Sequence, residues 1–228
     1  VATTTNFGWT TPDNTGYVKD GALAIRTLGS AIDTSMVDFK GGTTGQVLAK
    51  ASNTDMDFIW AADAANGYTT IATGTLSGSS VTVSSIPGTY VNLQLDVYNM
   101  TSSSNSGFLV TVNGLSSNYA QSLYYHANGS SGNSGQGSGG DWSFAPASTF
   151  DKTSDANHLQ MTFYNYAATN RVALASSTIN YLYGDGTTKF TANGSHANTG
   201  INAAINSVTV ASQVGTFSGG TYILRGVK

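Results

Sequence analysis

Beyond residue 67 this sequence sustains no helical period of useful length. It runs as short stretches of alternating apolar and polar residues, broken by turn formers. Tyr90 to Val97 is the clearest case, with Val91, Leu93, Leu95 and Val97 on one face and Asn92, Gln94 and Asp96 on the other. Ser80–Ile86, Gly107–Asn113, Ala120–His126, His158–Tyr166, Arg171–Tyr181, Ile205–Ala211 and Thr221–Val227 carry similar patterns. With residues 68–76 included, these predict about nine strands. Strands at that spacing, with no helices between them, predict a mainly β fold: an antiparallel β-sandwich, with a jelly roll of two facing sheets the commonest closure. Composition agrees, since Ser, Thr, Asn and Gly fill 105 of 228 positions and all four disfavour helix interiors. Ala127–Asp141, with six glycines and no apolar side chain beyond Ala127, is expected to be a long loop inside this sandwich.

The one helical pattern lies at residues 17–39. Val18, Ile25, Ile32 and Phe39 recur every seven residues and Leu28 follows Ile25 by three, which approximates a heptad seam. A turn and cap cluster, Pro12 to Gly16, precedes it, and Gly41-Gly42 ends it. A lone helix of this length is marginal in water. It therefore needs a surface of its own domain or copies of itself, and a short trimeric bundle through Val18, Ile25, Leu28, Ile32 and Phe39 is expected. Residues 46–50 and 56–60 form a predicted hairpin around the polar turn 51–55. Three parts result: 1–42 with the helix, 43–67 with the hairpin and a small-residue linker, and 68–228 as the β-sandwich.

Charge is scarce and unevenly placed. Only 9% of residues are charged, all 12 acidic residues are Asp, and the net charge of −3 is carried by residues 1–67, leaving 68–228 neutral. No basic footprint for nucleic acid exists, and no apolar run reaches the roughly 18–20 residues a membrane helix needs. Without Cys, thiolate chemistry and Cys-based zinc sites are excluded. His126, His158 and His196 lack ligand spacing, so no metal and no cofactor are expected. Asn53, Asp55 and Asp57 have the spacing that opens a calcium loop, but Phe58 stands where Gly is required and no Glu closes it. Gly135 to Gly140 matches a dinucleotide fingerprint only formally, since no helix follows it. Asp141, Asp151 and Asp155 cluster in sequence and make a carboxylate pair arithmetically available, but they sit among turn residues, and no enzyme is expected.

A binding surface suits the large domain better. Aromatic rings stack on the apolar faces of sugars, and amides and hydroxyls bond their hydroxyl groups, all without net charge. Tyr119, Tyr124, Tyr125 and His126 before the Gly/Ser tract, with Trp142 and Phe144 after it, are the candidate surface for a neutral glycan. The same rings also suit a core or a subunit contact.

Thr5 to Pro12, the helix Lys19 to Asp33, and the pair Gly45-Gln-Val-Leu-Ala-Lys50 and Asp55-Met-Asp-Phe-Ile-Trp60 resemble the N-terminal region of tail fibre, collar and baseplate proteins of tailed bacteriophages. More loosely, Val112-Asn113, Asn118-Tyr119, Tyr164-Asn-Tyr166 and the terminal Gly220 to Lys228 resemble the distal jelly-roll heads of phage fibres; Arg225 departs from the Tyr usual in that place. The resemblance implies a homotrimeric receptor-binding protein of the virion. It would attach to other tail or baseplate proteins through residues 1–60 and present a head to a bacterial surface glycan. A purely structural head or collar fibre or capsid decoration protein is the alternative, and a small Asp-dependent depolymerase the enzymatic one.

Overall fold

A computed structural model describes residues 2–62, 67–144, 150–153, 157–170 and 172–228. Arg171, Asp155 and linker residues 63–66, all named above, lie outside the described residues. The chain divides into two compact units, 1–66 and 67–228.

In the first unit, β1 (Ala2–Thr3) and β2 (Thr10–Thr11) pair antiparallel. A 3-10 turn at Val18–Asp20 leads into α1 (Gly21–Ser35), and a second 3-10 turn, Val37–Phe39, follows. β3 (Gln46–Lys50) and β4 (Phe58–Ala62) then form the hairpin, with Leu48 opposite Trp60. β4 starts two residues later than the sequence suggests because Met56 sits in the turn at φ +60. Two indole N–H groups tie the pieces together: Trp9 Nε1 donates to Ser35 Oγ at 3.0 Å and Trp60 Nε1 to the Lys40 carbonyl at 3.1 Å. Nevertheless, no residue of α1 is buried.

The second unit holds β5 (Tyr68–Thr75), β6 (Ser80–Val83), β7 (Asn92–Ser102), β8 (Phe108–Val112), β9 (Tyr119–Ala127) and β10 (Ser130–Gly139). It continues with β11 (Trp142–Ser143), β12 (His158–Tyr164), β13 (Ala173–Leu182), β14 (Lys189–Asn198), β15 (Val208–Ser212) and β16 (Phe217–Val227). They build an antiparallel β-sandwich of unequal sheets, β10-β9-β14-β13-β12-β7-β16-β5 against β11-β8-β15-β6. The core between them is one cluster. Leu93, Leu95, Val97, Leu159, Met161, Phe163 and Leu224 come from the large sheet, and Phe108, Val110, Val112, Trp142, Val208 and Val210 from the small one. Trp142 stitches the two sheets polarly as well, since its Nε1 donates to the Ala120 and Ala197 carbonyls at 3.2 and 3.0 Å.

The Gly/Ser tract is not a loop. Ser130 to Gln136 pair with β9 residue by residue, from Ser130 opposite Ala127 to Gln136 opposite Gln121, making β10 an edge strand. The hairpin closes through Asn128 and Gly129, at φ +44 and +87, the two-residue type I′ connection that Asn-Gly favours. Ladder bonds need only backbone, so the absence of apolar side chains does not prevent pairing. At Gly132 an added Cβ would lie 2.6 Å from the Tyr125 hydroxyl, so any side chain there requires the Tyr125 ring to move.

Replacing Gly129 with Ala would place a Cβ in the left-handed region and is expected to cost about 1–2 kcal/mol. Trp142→Ala is expected to cost about 3–5 kcal/mol, because the ring is fully buried within the core cluster and its removal leaves a cavity the surrounding rings fill only in part. Denaturant titration of the full chain measures both, and a cost for Gly129→Ala indistinguishable from zero would mean that the hairpin contributes nothing to stability.

Candidate ligand surface

Strand alternation decides which side chains meet solvent. Along β9, Tyr119, Gln121, Leu123 and Tyr125 turn inward while Ser122, Tyr124 and His126 are exposed. This splits the six candidate rings. Tyr119, Trp142 and Phe144 are at 0% exposure and belong to the core, which corrects their placement on the surface. The Tyr119 hydroxyl accepts from the Val112 N–H at 2.9 Å, and its ring meets Trp142 edge to face at 5.0 Å. Phe144 stacks on Phe108 at 5.2 Å. Tyr125 is half-buried and stacks on Phe190 at 5.1 Å, so it too faces inward. Only Tyr124, 50% exposed, and His126 stand on the outer face, edge to face at 5.1 Å.

One polar pair is sealed among the inward residues. Ser177 Oγ and His196 Nε2 lie 2.7 Å apart, and among the described residues His196 Nδ1 has no partner. Burial lowers this imidazole from its ordinary 6.5 to about 4. A nucleophile needs an accessible hydroxyl and an orienting group on the far imidazole nitrogen. Here both residues are buried, and no such group meets the second nitrogen among the described residues.

The other polar candidates sit in turns. Asp151 Oδ1 accepts from the Thr153 N–H and hydroxyl at 2.8 and 2.7 Å, closing a local turn. Asp185 accepts from the Thr188 hydroxyl at 2.6 Å and from the Thr187 and Thr188 N–H groups at 2.8 Å; led by that hydroxyl, these bonds hold its carboxyl at about 2. Burial pushes the Asp141 carboxyl up. Among the described residues no group of three His, Cys, Asp or Glu is placed to hold a metal ion.

The outer face of the large sheet was not singled out by the sequence, and the register shows its order. One row runs Asn133, Tyr124, Asn193, Thr178, Gln160, Asp96 across β10, β9, β14, β13, β12 and β7. The next runs Gly135, Ser122, Ser195, Ser176, Thr162, Gln94, and beyond it lie Ala120, Ala197, Leu174 and Tyr164. Gln160, Thr162, Ser176, Thr178 and Asn193 line a shallow cleft of about 240 Å³, whose floor includes Ser177 and Gly194 of the same strands, β13 and β14.

Asp96 anchors this face. It is fully buried although it points outward, because Gln94 Nε2 donates to both its oxygens at 3.1 Å, Gln160 Nε2 donates at 3.1 Å, and Arg225 forms an ion pair with it. A buried carboxylate is tolerated when paired and fully hydrogen-bonded. The alternating pattern had placed Asp96 on the polar face but gave no sign of its partner, 129 residues away.

In the first unit the expected seam also divides. Gly21, Ala24, Leu28, Ala31 and Ser35 are half-exposed. This is the helix side on which Ser35 meets Trp9 and on which Gly21 and Ala24 line a cleft with Thr10 to Asp13. Leu28 therefore faces its own unit. Val18, Ile25, Ile32 and Phe39 are 98%, 65%, 37% and 39% exposed, and Ala22, Gly29 and Met36 are exposed between them. The open stripe thus keeps the 4–3 spacing of a coiled-coil seam, with small residues and Met rather than Leu28 as the alternate column. No helix among the described residues is long and apolar enough to cross a membrane.

No family model, curated protein or solved structure matches this chain.

Two acid-sensitive groups separate by window. His196 stays neutral when folded but protonates below 6.5 when unfolded, so stability falls as pH drops from about 6.5 toward 4, by up to about 3 kcal/mol. Asp185, whose folded value is depressed, contributes above its ordinary 3.8 and loses its contribution as pH falls through about 2. His196→Gln should flatten the upper window in denaturant titrations at stepped pH while leaving the lower one in place; an unchanged upper slope would remove His196 as its source.

Proposed function

We propose that this chain is a virion fibre protein of a tailed bacteriophage. It associates as a homotrimer through its helix, joins other tail or baseplate proteins through residues 1–60, and adheres to a bacterial surface saccharide with its β-sandwich. The observation that carries the trimer is the stripe along α1 and its flanks: Ala22, Ile25, Gly29 and Ile32 of the helix, Val18 of the preceding 3-10 turn and Met36 just after it are all exposed, and α1 has no buried residue. An Ile or Val side chain taken fully out of water contributes about 1.5–3 kcal/mol; Val18 and Ile25 are mostly open at 98% and 65% exposure, and Ile32, at 37%, offers a smaller share. Seven-residue spacing matches self-association of helices, and Ala22 and Gly29 allow close approach.

The phage assignment is supported by the residues at 5–12, 19–33 and 45–60 that resemble tail-attachment segments. Adhesion is supported by the neutrality of residues 68–228 and by an outer sheet face covered in hydroxyls and amides. Repetition of one weak site over three heads raises avidity without new contacts.

Light scattering of the full chain should give three times the 23.5 kDa chain mass. Ile25→Asp with Ile32→Asp should give one chain mass without changing the melting of the sandwich. A monomeric wild-type chain would contradict the trimer. Adhesion of the wild-type protein to bacteria, lost on competition with their purified surface polysaccharide, would support the saccharide partner. Failure of the trimer to adhere to any susceptible host would favour the purely structural fibre.

A further inference from the structure

The geometry points to one place for the ligand: we infer that a neutral, hydroxyl-rich saccharide lies on the outer face of the large sheet, along the cleft at Gln160, Thr178 and Asn193 between Tyr124 and Tyr164. The inference rests on the adhesion proposal above and adds where the ligand sits and what charge it carries.

Charge comes first. The charged side chains on the outward positions of β7, β9, β12, β13, β14 and β16 are Asp96, Arg225 and Lys189. Asp96 and Arg225 neutralise each other within one ion pair, and Lys189 sits at the end of its strand. Among the described residues, an anionic polysaccharide would find no unspent Lys or Arg near the cleft, and a cationic ligand no unspent carboxylate. A neutral ligand loses nothing there.

The hydrogen bonds then fix which atoms remain for a ligand. Gln160 commits its Nε2 to Asp96, which orients its Oε1 away as an acceptor. Asn193 accepts the Thr178 hydroxyl on its Oδ1 at 2.9 Å, which leaves its Nδ2 as a donor. Among the described residues neither remaining atom has a partner. The two lie two strands apart, roughly 10 Å. A sugar hydroxyl both donates and accepts, so successive hydroxyls on a saccharide satisfy both ends, with Ser176 and Thr162 beside them. Because Asp96 is buried and held by three side chains, Gln94, Gln160 and Arg225, Gln160 needs little ordering when the ligand arrives.

Rings complete the surface. Tyr124 borders Asn193 in register and is 50% exposed; Tyr164 is 49% exposed, its hydroxyl 2.7 Å from Ser176 Oγ. Leu174, 51% exposed, lies beside Tyr164. Three strand spacings and four residues of rise put the two tyrosines roughly 20 Å apart on the diagonal. That span suits a chain of several sugar units rather than a monosaccharide, with an apolar ring at each end to stack on.

The test uses the full chain on an array of defined neutral and anionic oligosaccharides. Wild-type protein is expected to be retained by neutral oligosaccharides. Tyr124→Ala and Asn193→Ala should each weaken retention at least tenfold, while Thr111→Ala, on the outward side of the small sheet, should leave it unchanged. Circular dichroism and light scattering verify that the variants keep their fold and mass. Retention of wild type and both outer-face variants alike would overturn this location but leave saccharide adhesion standing. Retention by anionic sugars alone would overturn the neutral ligand. Loss of retention together with a changed mass would assign the face to a subunit contact, and no retention of wild type at all would overturn both the site and the adhesion proposal.

Discussion

The second unit depends on closure of an eight-stranded sheet by one half its size around Trp142. Four strands supply too few aliphatic side chains to cover eight, so large rings fill the space: Tyr119, Phe108, Phe144, Phe150, Phe163 and Phe190 are all buried with Trp142. The indole also gives its N–H to carbonyls of both β9 and β14, which aligns those strands against the small sheet. Once these rings are committed inward, the period-2 alternation of each strand commits the intervening side chains outward. The outer face is therefore a consequence of core packing. Its hydroxyl and amide rows are held flat by side-chain pairs such as Thr178–Asn193 and Thr191–Asn180 and by the sealed carboxylate of Asp96.

The two units meet water differently. In the second, burial is extensive and polar groups in the core are mostly satisfied; in the first, no helix residue is buried and apolar side chains stand open. Exposure of that kind marks a surface for another chain. The proposed adhesive fibre would use the first unit for assembly and the second for recognition, with repeated weak sites adding avidity.

Much of this was legible in the sequence, and the failures have physical causes. The helix, the hairpin and nine of the second unit's strands carry periodic apolar residues, and Leu93, Leu95 and Val97 face the core as their alternation requires. β14 escaped notice because its inward positions are Phe190, Ala192, Gly194, His196 and Asn198, with little apolar contrast to their neighbours. β10 escaped because its pairing is carried by backbone, although Asn128-Gly129 was a readable turn signal. The ring assignments divided because proximity to a loop says nothing of strand parity: Tyr124 and Tyr125 are adjacent yet face opposite ways. The cleft itself was hidden, since Gln160, Thr178 and Asn193 come together only through the β12-β13-β14 register. Leu28 followed the heptad but faced inward, because two stripes share one helix and only tertiary contacts decide between them.

The central claim is that the core-determined outer face holds a neutral saccharide. A crystal structure of the full chain with an oligosaccharide it retains tests this most directly. The account predicts sugar oxygens within hydrogen-bonding distance of Gln160 Oε1 and Asn193 Nδ2, with a ring stacked on Tyr124 or Tyr164. Sugar bound at the loops joining the strands, or on the small sheet, with the Gln160–Asn193 cleft holding none, would contradict it.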